Sequence, residues 1–133
     1  MKLISLFTLL FSMASFAQTQ LSLEKQTAFV EKIAKDARRD YWRSGHKYVG
    51  TTVEAVSKEG LDDYIQDNHL MEEPLNKTQI SGLYKCHYSK KCSLFLIHLS
   101  ASYMGGDGSE RIWVLLNPFT ATAETYKHLV YAE

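Results

Sequence analysis

The stretch Cys86-His87-Tyr88-Ser89-Lys90-Lys91-Cys92 holds the densest chemistry in the chain. Two thiols bracket an imidazole, a phenol and two amines, and Lys85 stands just before them. The chain has 2 cysteines in all. In an oxidising compartment such a pair most simply forms one disulfide. The two do not have the spacing of redox-active pairs, so the bond is expected to be structural. Zinc is a poor alternative, because two Cys beside one His make an incomplete and irregular ligand set. No metal and no cofactor is expected. A disulfide would cinch the intervening residues into a small, stiff loop that loses little conformational entropy on binding. Its contact residues would be His87, Tyr88, Lys90 and Lys91, with Lys85 at its base. The loop is cationic, and His87 adds charge near its titration range. A protruding basic loop suits an acidic cleft, such as the two-carboxylate cleft of glycoside hydrolases. The competing reading is a solubilising tip stapled for stability, since lysines commonly blunt strand ends.

Other residues assemble no comparable set. His46, His69, His98 and His128 fall on different expected elements, without the helical two-His spacing of zinc hydrolases. His98 is expected to be a hydrogen-bonded, partly buried side chain. Gly105-Gly106-Asp107-Gly108-Ser109-Glu110 lacks the following helix of a phosphate loop and the ligand periodicity of a calcium loop, so it reads as a hairpin turn. Asp62-Asp63 and Glu72-Glu73 are adjacent pairs whose side chains point apart, and they read as solvated surface. No Gly-x-Ser-x-Gly elbow is present. Asn76-Lys77-Thr78 fits a glycosylation sequon, relevant only to a eukaryotic secretory route. An enzyme is therefore not expected.

The start of the chain assigns a compartment. Lys2, the apolar run Leu3 to Phe11 and the small-x-small triplet Ser15-Phe16-Ala17 make a secretory signal, with cleavage expected after Ala17. The run is too short for a permanent bilayer anchor. No Cys follows the cleavage point to carry a lipid. The expected mature chain, residues 18–133, is one globular domain in the periplasm, without stable membrane insertion. A chain of this size can bury a core of its own. Hydrophobic residues make up 45% of the sequence, which argues against disorder. The charge is near neutral, with 15 basic and 15 acidic residues, so nucleic acid is not an expected partner. Eight tyrosines suit either a sheet surface or rigid, amphipathic contacts with a partner.

Spacing sets the elements that must position these residues. Leu23, Val30, Ile33, Ala34, Ala37 and Tyr41 form a helical stripe over residues 21–44, widened by Phe29 and Trp42. Ser22 is the expected N-cap and Gly45 the stop. A strand is expected over His46 to Ser57, with Lys58-Glu59-Gly60 breaking it. A short helix is expected over residues 61–70, ended by Glu72-Glu73-Pro74. Strands are then expected over Gln79 to Tyr88, Cys92 to Tyr103, Arg111 to Leu116 and Thr122 to Tyr131. The short links between them imply antiparallel neighbours. The fold class is α+β: an N-terminal amphipathic helix packed on an antiparallel sheet of about four to five strands. Pairing Cys86 with Cys92 across a hairpin also pairs Tyr84 with Leu94, Gly82 with Leu96 and Ile80 with His98. Both faces of the Cys92 strand are then apolar, as in a strand covered on both sides.

A disulfide-closed basic tip in a small exported protein resembles the Ivy-type periplasmic lysozyme inhibitors. The matching stretch is Cys86 to Cys92 followed by an apolar strand, within roughly Leu83 to Leu99. In that family a short Cys-bounded loop containing a His enters the lysozyme cleft. The family loop has four residues between its cysteines and a central His after Pro; here there are five, no Pro, and His87 adjoins Cys86. The resemblance carries over Cys86, Cys92 and His87. It implies an inhibitor of a lysozyme-like or other cell-wall hydrolase, or an immunity protein that neutralises a toxin of that kind. The alternative is a cystatin-like binder of a small ligand, held between helix and sheet by Trp42, Trp113, Tyr84 and Tyr103.

Overall fold

The computed structural model describes residues 19–43, 47–103 and 106–132. The expected signal segment, the Gly45 stop, His46 and Gly105 lie outside the described residues, as do the side chains of Tyr41, Trp42 and Tyr103. The chain is α+β. Helix α1 (Leu23–Arg43) leads to strand β1 (Lys47–Ala55), then to helices α2 (Lys58–Gln66) and α3 (Lys77–Tyr88). A meander of β2 (Ser93–Tyr103), β3 (Gly106–Asn117) and β4 (Thr122–Ala132) completes it. The four strands form one antiparallel sheet in the order β1-β2-β3-β4. No helix among the described residues is long and apolar enough to cross a membrane.

Period-two alternation along β2 splits the core into two layers. Phe95, Ile97 and Leu99 meet Val30, Ala34 and Ala37 of α1, with Ile112, Val114 and Leu116 of β3. On the opposite face Leu94, Leu96 and Trp113 meet Leu61 of α2, Leu75, and Leu83 and Cys86 of α3. The central strands are thus covered on both sides, as their two apolar faces required. Of the expected α1 stripe, Val30, Ile33, Ala34 and Ala37 face the core with Phe29, but Leu23 is 65% exposed. Ser22 caps the helix by accepting from Lys25 N–H at 3.3 Å. Buried Gln26 ties the helix start to the preceding chain, donating to the Leu21 carbonyl at 2.8 Å.

One element differs in kind. The expected strand over Gln79 to Tyr88 is helix α3. Asn76 and Gln79 form a reciprocal cap: Asn76 Oδ1 accepts from Gln79 N–H at 2.8 Å, and Gln79 Oε1 accepts from Asn76 N–H at 3.0 Å. Ile80, Leu83 and Tyr84 then face the second core at helical spacing. The alternation Ile80-Gly82-Tyr84-Cys86 fitted a strand equally well, and the cap decides between them. The expected hairpin register therefore does not exist. Leu96 pairs with Glu54 and Trp113, and His98 with Thr52 and Arg111. The sheet has four strands because this one is missing. The first strand ends before Lys58-Glu59-Gly60 as expected, and these residues form the first turn of α2, capped by Ser57 Oγ accepting from Gly60 N–H at 3.1 Å.

Gly106 pairs with Tyr103, so Gly106 to Ser109 belong to β3, and the glycine-rich turn is shorter than expected.

Candidate functional site

Cys86 and Cys92 are bonded, with their Cα atoms 5.0 Å apart. The bond does not close a hairpin. It ties the last turn of α3 to the start of β2 across a short turn. Helical periodicity puts Cys86 on the same inward face as Leu83, and Cys86 is buried in the second core with Leu94 and Trp113. The cross-link is therefore anchored in packed structure. Within the turn, Ser89 N–H donates to the Cys86 carbonyl at 3.1 Å, and Lys91 N–H donates to Ser89 Oγ at 3.1 Å.

All five residues assigned to the site gather at this end of α3. Lys85, Lys90 and Lys91 are exposed, and His87 is half-buried. Tyr88 is 64% exposed, one of three large apolar side chains so placed among the described residues. The His87 ring stands edge-on to it at 5.1 Å between centroids. Lys58 Nζ, from the first turn of α2, lies 5.7 Å from the Tyr88 ring centroid. The Tyr88 hydroxyl holds the Lys58 ammonium above its ordinary value, with Asp62 adding to the effect. Sequence reasoning missed Lys58, because nothing in the local pattern links α2 to a turn thirty residues later. Next to the turn lies an open groove of about 580 Å³, with Lys85, Lys91 and the disulfide on one bank and Glu124 and Tyr126 on the other.

A second polar group sits on the same face of the sheet. The Tyr64 hydroxyl donates to Glu54 Oε1 at 3.0 Å and lies 3.2 Å from His98 Nε2, which is 3.2 Å from the same carboxylate oxygen. The Tyr64 ring packs edge-on against buried Trp113 at 5.4 Å. Trp113 Nε1 donates to buried His128 Nε2 at 3.1 Å. His98 is thus the hydrogen-bonded, partly buried histidine expected of it. Hydroxyl, imidazole and carboxylate do meet here, but the tuning is wrong for an activated hydroxyl. Burial, then Glu54, push the Tyr64 phenol up to about 12, so it stays a neutral donor. The group clamps α2 to β1, β2 and β3.

Of the residues of the ligand-pocket alternative, the side chains of Trp42 and Tyr103 lie outside the described residues, and Trp113 and Tyr84 belong to the second core. Trp113 is buried on the face away from α1, and the Tyr84 hydroxyl donates to Asp62 at 2.8 Å. Val30, Ala34 and Ala37 pack between α1 and the sheet, and beside them an open pocket of about 340 Å³ is lined by Glu31, Lys35 and Arg38 of α1 and Thr51 and Val53 of β1. Asp62, Asp63, Glu72 and Glu73 are exposed, as expected. Among the described residues no three His, Cys, Asp or Glu side chains are placed to hold a metal ion. No known protein family, curated protein or solved structure matches this chain.

Proposed function

We propose that this is an exported binding protein that inhibits or neutralises a peptidoglycan-active enzyme through the Cys86–Cys92 turn. The partner would be a lysozyme-like or other cell-wall hydrolase, and the role that of a lysozyme inhibitor or a toxin immunity protein. One observation carries the reading: Tyr88 is presented to solvent on a turn whose cross-link is rooted in the core. Leu23 and Leu70 are as exposed, so what marks Tyr88 is its place on a cross-linked turn, where Tyr offers a contact surface a large, rigid area at low entropic cost. Lys58 lies over its ring, and Lys85, Lys90 and Lys91 are exposed in the same short segment. That charge steers the turn toward an acidic groove and sets its orientation there. Tethering at both ends removes much of the ordering cost that a free loop would meet on binding.

The test is a titration of the oxidised protein against a c-type lysozyme and a small panel of muramidases and amidases, read by affinity and by residual hydrolase activity. Saturable one-to-one binding with loss of hydrolysis is the expected result. Absence of binding across the panel removes the cell-wall hydrolase as target.

A further inference from the structure

An open groove of about 580 Å³ lies beside the turn, within the ~300–1,000 Å³ range of small-molecule and cofactor sites. It shares Lys85, Cys86, Lys91 and Cys92 with the turn, so the two surfaces are continuous. Leu115 and Asn117 of β3, with Thr122 of β4, belong to its other side. Neither Lys85 nor Lys91 has an ion-pair partner among the described residues. Glu124, on the far bank, is engaged with Tyr126, whose phenol burial and then Glu124 hold above its ordinary value. A neutral phenol does not cancel the Glu124 charge, so two lysines against one carboxylate leave the groove net positive.

β4 is also an outer strand of the sheet. At its far end the Leu129 and Val130 carbonyls accept from Glu73 and Glu72 N–H, at 3.0 and 3.1 Å. Its first half, Thr122 to Lys127, has no such backbone partner on its open side among the described residues. An exposed strand edge beside a groove is the usual seat of an added extended peptide.

We infer that this groove takes an extended acidic segment of the partner protein, with its carboxylates against Lys85 and Lys91 and its backbone along the Thr122 half of β4. The inference rests on the proposed function only for the partner being a protein. Its charge, its extended form and its place follow from the groove. Gly82 gives the groove its shape: a Cβ there would strike the Tyr126 hydroxyl, so the ring lies against α3 only because residue 82 has no side chain. Gly82→Ala therefore shifts Tyr126 and leaves the turn itself unchanged.

The experiment titrates oxidised protein into fluorescein-labelled hexaglutamate and follows anisotropy at low and moderate salt. Saturable binding is expected, weakening as salt screens the lysines. The double variant Lys85→Glu/Lys91→Glu should lose at least tenfold in affinity, and Gly82→Ala several-fold. Lys90→Glu, outside the groove, should lose less than threefold. Circular dichroism confirms that each variant is folded. Absence of saturable binding overturns the inference. So does a double variant that binds like the parent, or a Lys90→Glu loss equal to that of the double, which would mean diffuse attraction only. If the peptide binds as expected and no hydrolase does, the groove stands and the target class falls. If a hydrolase binds the parent and Gly82→Ala equally, and hexaglutamate binds neither, the groove falls and the turn stands.

Discussion

Acidification from pH 7 to pH 3.5 should cost the fold about 3 kcal/mol through His128 alone. His128 is 4% exposed, and its Nε2 accepts a hydrogen bond from Trp113 Nε1, which requires the neutral ring. Burial first, and the Arg111 guanidinium second, pull it down from 6.5 to about 4; a backbone contact with Glu73 opposes them only in part. Below pH 6.5 the unfolded chain therefore binds a proton that the folded chain refuses. Stability falls as pH falls through that interval, and the loss is complete below about 4, where the folded state titrates too. At about 1.4 kcal/mol per pH unit the interval amounts to about 3 kcal/mol, of which about 2 is gone by pH 5. Glu110 acts in the opposite sense, because burial raises its carboxyl and favours the fold in acid. A difference measurement cancels Glu110. Urea unfolding of the parent and of His128→Gln, whose amide oxygen keeps an acceptor for Trp113, would be compared from pH 7 to 3.5. The parent's advantage should shrink by about 3 kcal/mol, mostly between pH 6.5 and 4. Parallel losses in both proteins, or a folded His128 that titrates near 6.5 by NMR, would refute the reasoning.

Three further outcomes follow from the same geometry. Cys86→Ser with Cys92→Ser should lower stability by about 2 kcal/mol, since the closed loop is short, and should weaken partner binding; chemical denaturation and a binding titration read the two effects. Asn76→Ala removes one half of the reciprocal cap on α3 and should cost about 1 kcal/mol in the same denaturation assay. Tyr64→Phe removes the hydroxyl that bridges Glu54 and His98 and should cost about 1 kcal/mol, leaving the Trp113 contact and partner affinity unchanged.

Much of the fold could be read from spacing. The Val30 to Ala37 part of the α1 stripe, all four strands and the two-faced burial of β2 follow from periods of 3.6 and 2, and the Ser22 cap follows from its residue type; Leu23, exposed at the helix start, departs from the pattern. The region of residues 77–88 was ambiguous because both periods fit it. Gly82 is unfavourable in helix and strand alike and decides nothing, and the Asn76–Gln79 cap was the signal that pointed to a helix. The disulfide was legible although its expected hairpin was not, because cysteine pairing depends on count and compartment more than on the elements joined. The turn residues were legible for a simpler reason: they are contiguous. Lys58, Glu124 and Tyr126 reach the same surface from α2 and β4, and no local pattern announces such meetings. The Glu54, Tyr64 and His98 contact is of the same kind, made by side chains from three separate elements.

The decisive measurement is the affinity of Tyr88→Ala and Lys90→Glu, each oxidised and folded, for the cell-wall hydrolase that binds the parent most tightly. If the turn is the contact surface, Tyr88→Ala should weaken binding at least ~10-fold, as removal of a central aromatic anchor does, and Lys90→Glu should weaken it in a salt-dependent way. Affinities equal to the parent's, or a parent that binds none of these enzymes, would contradict the account.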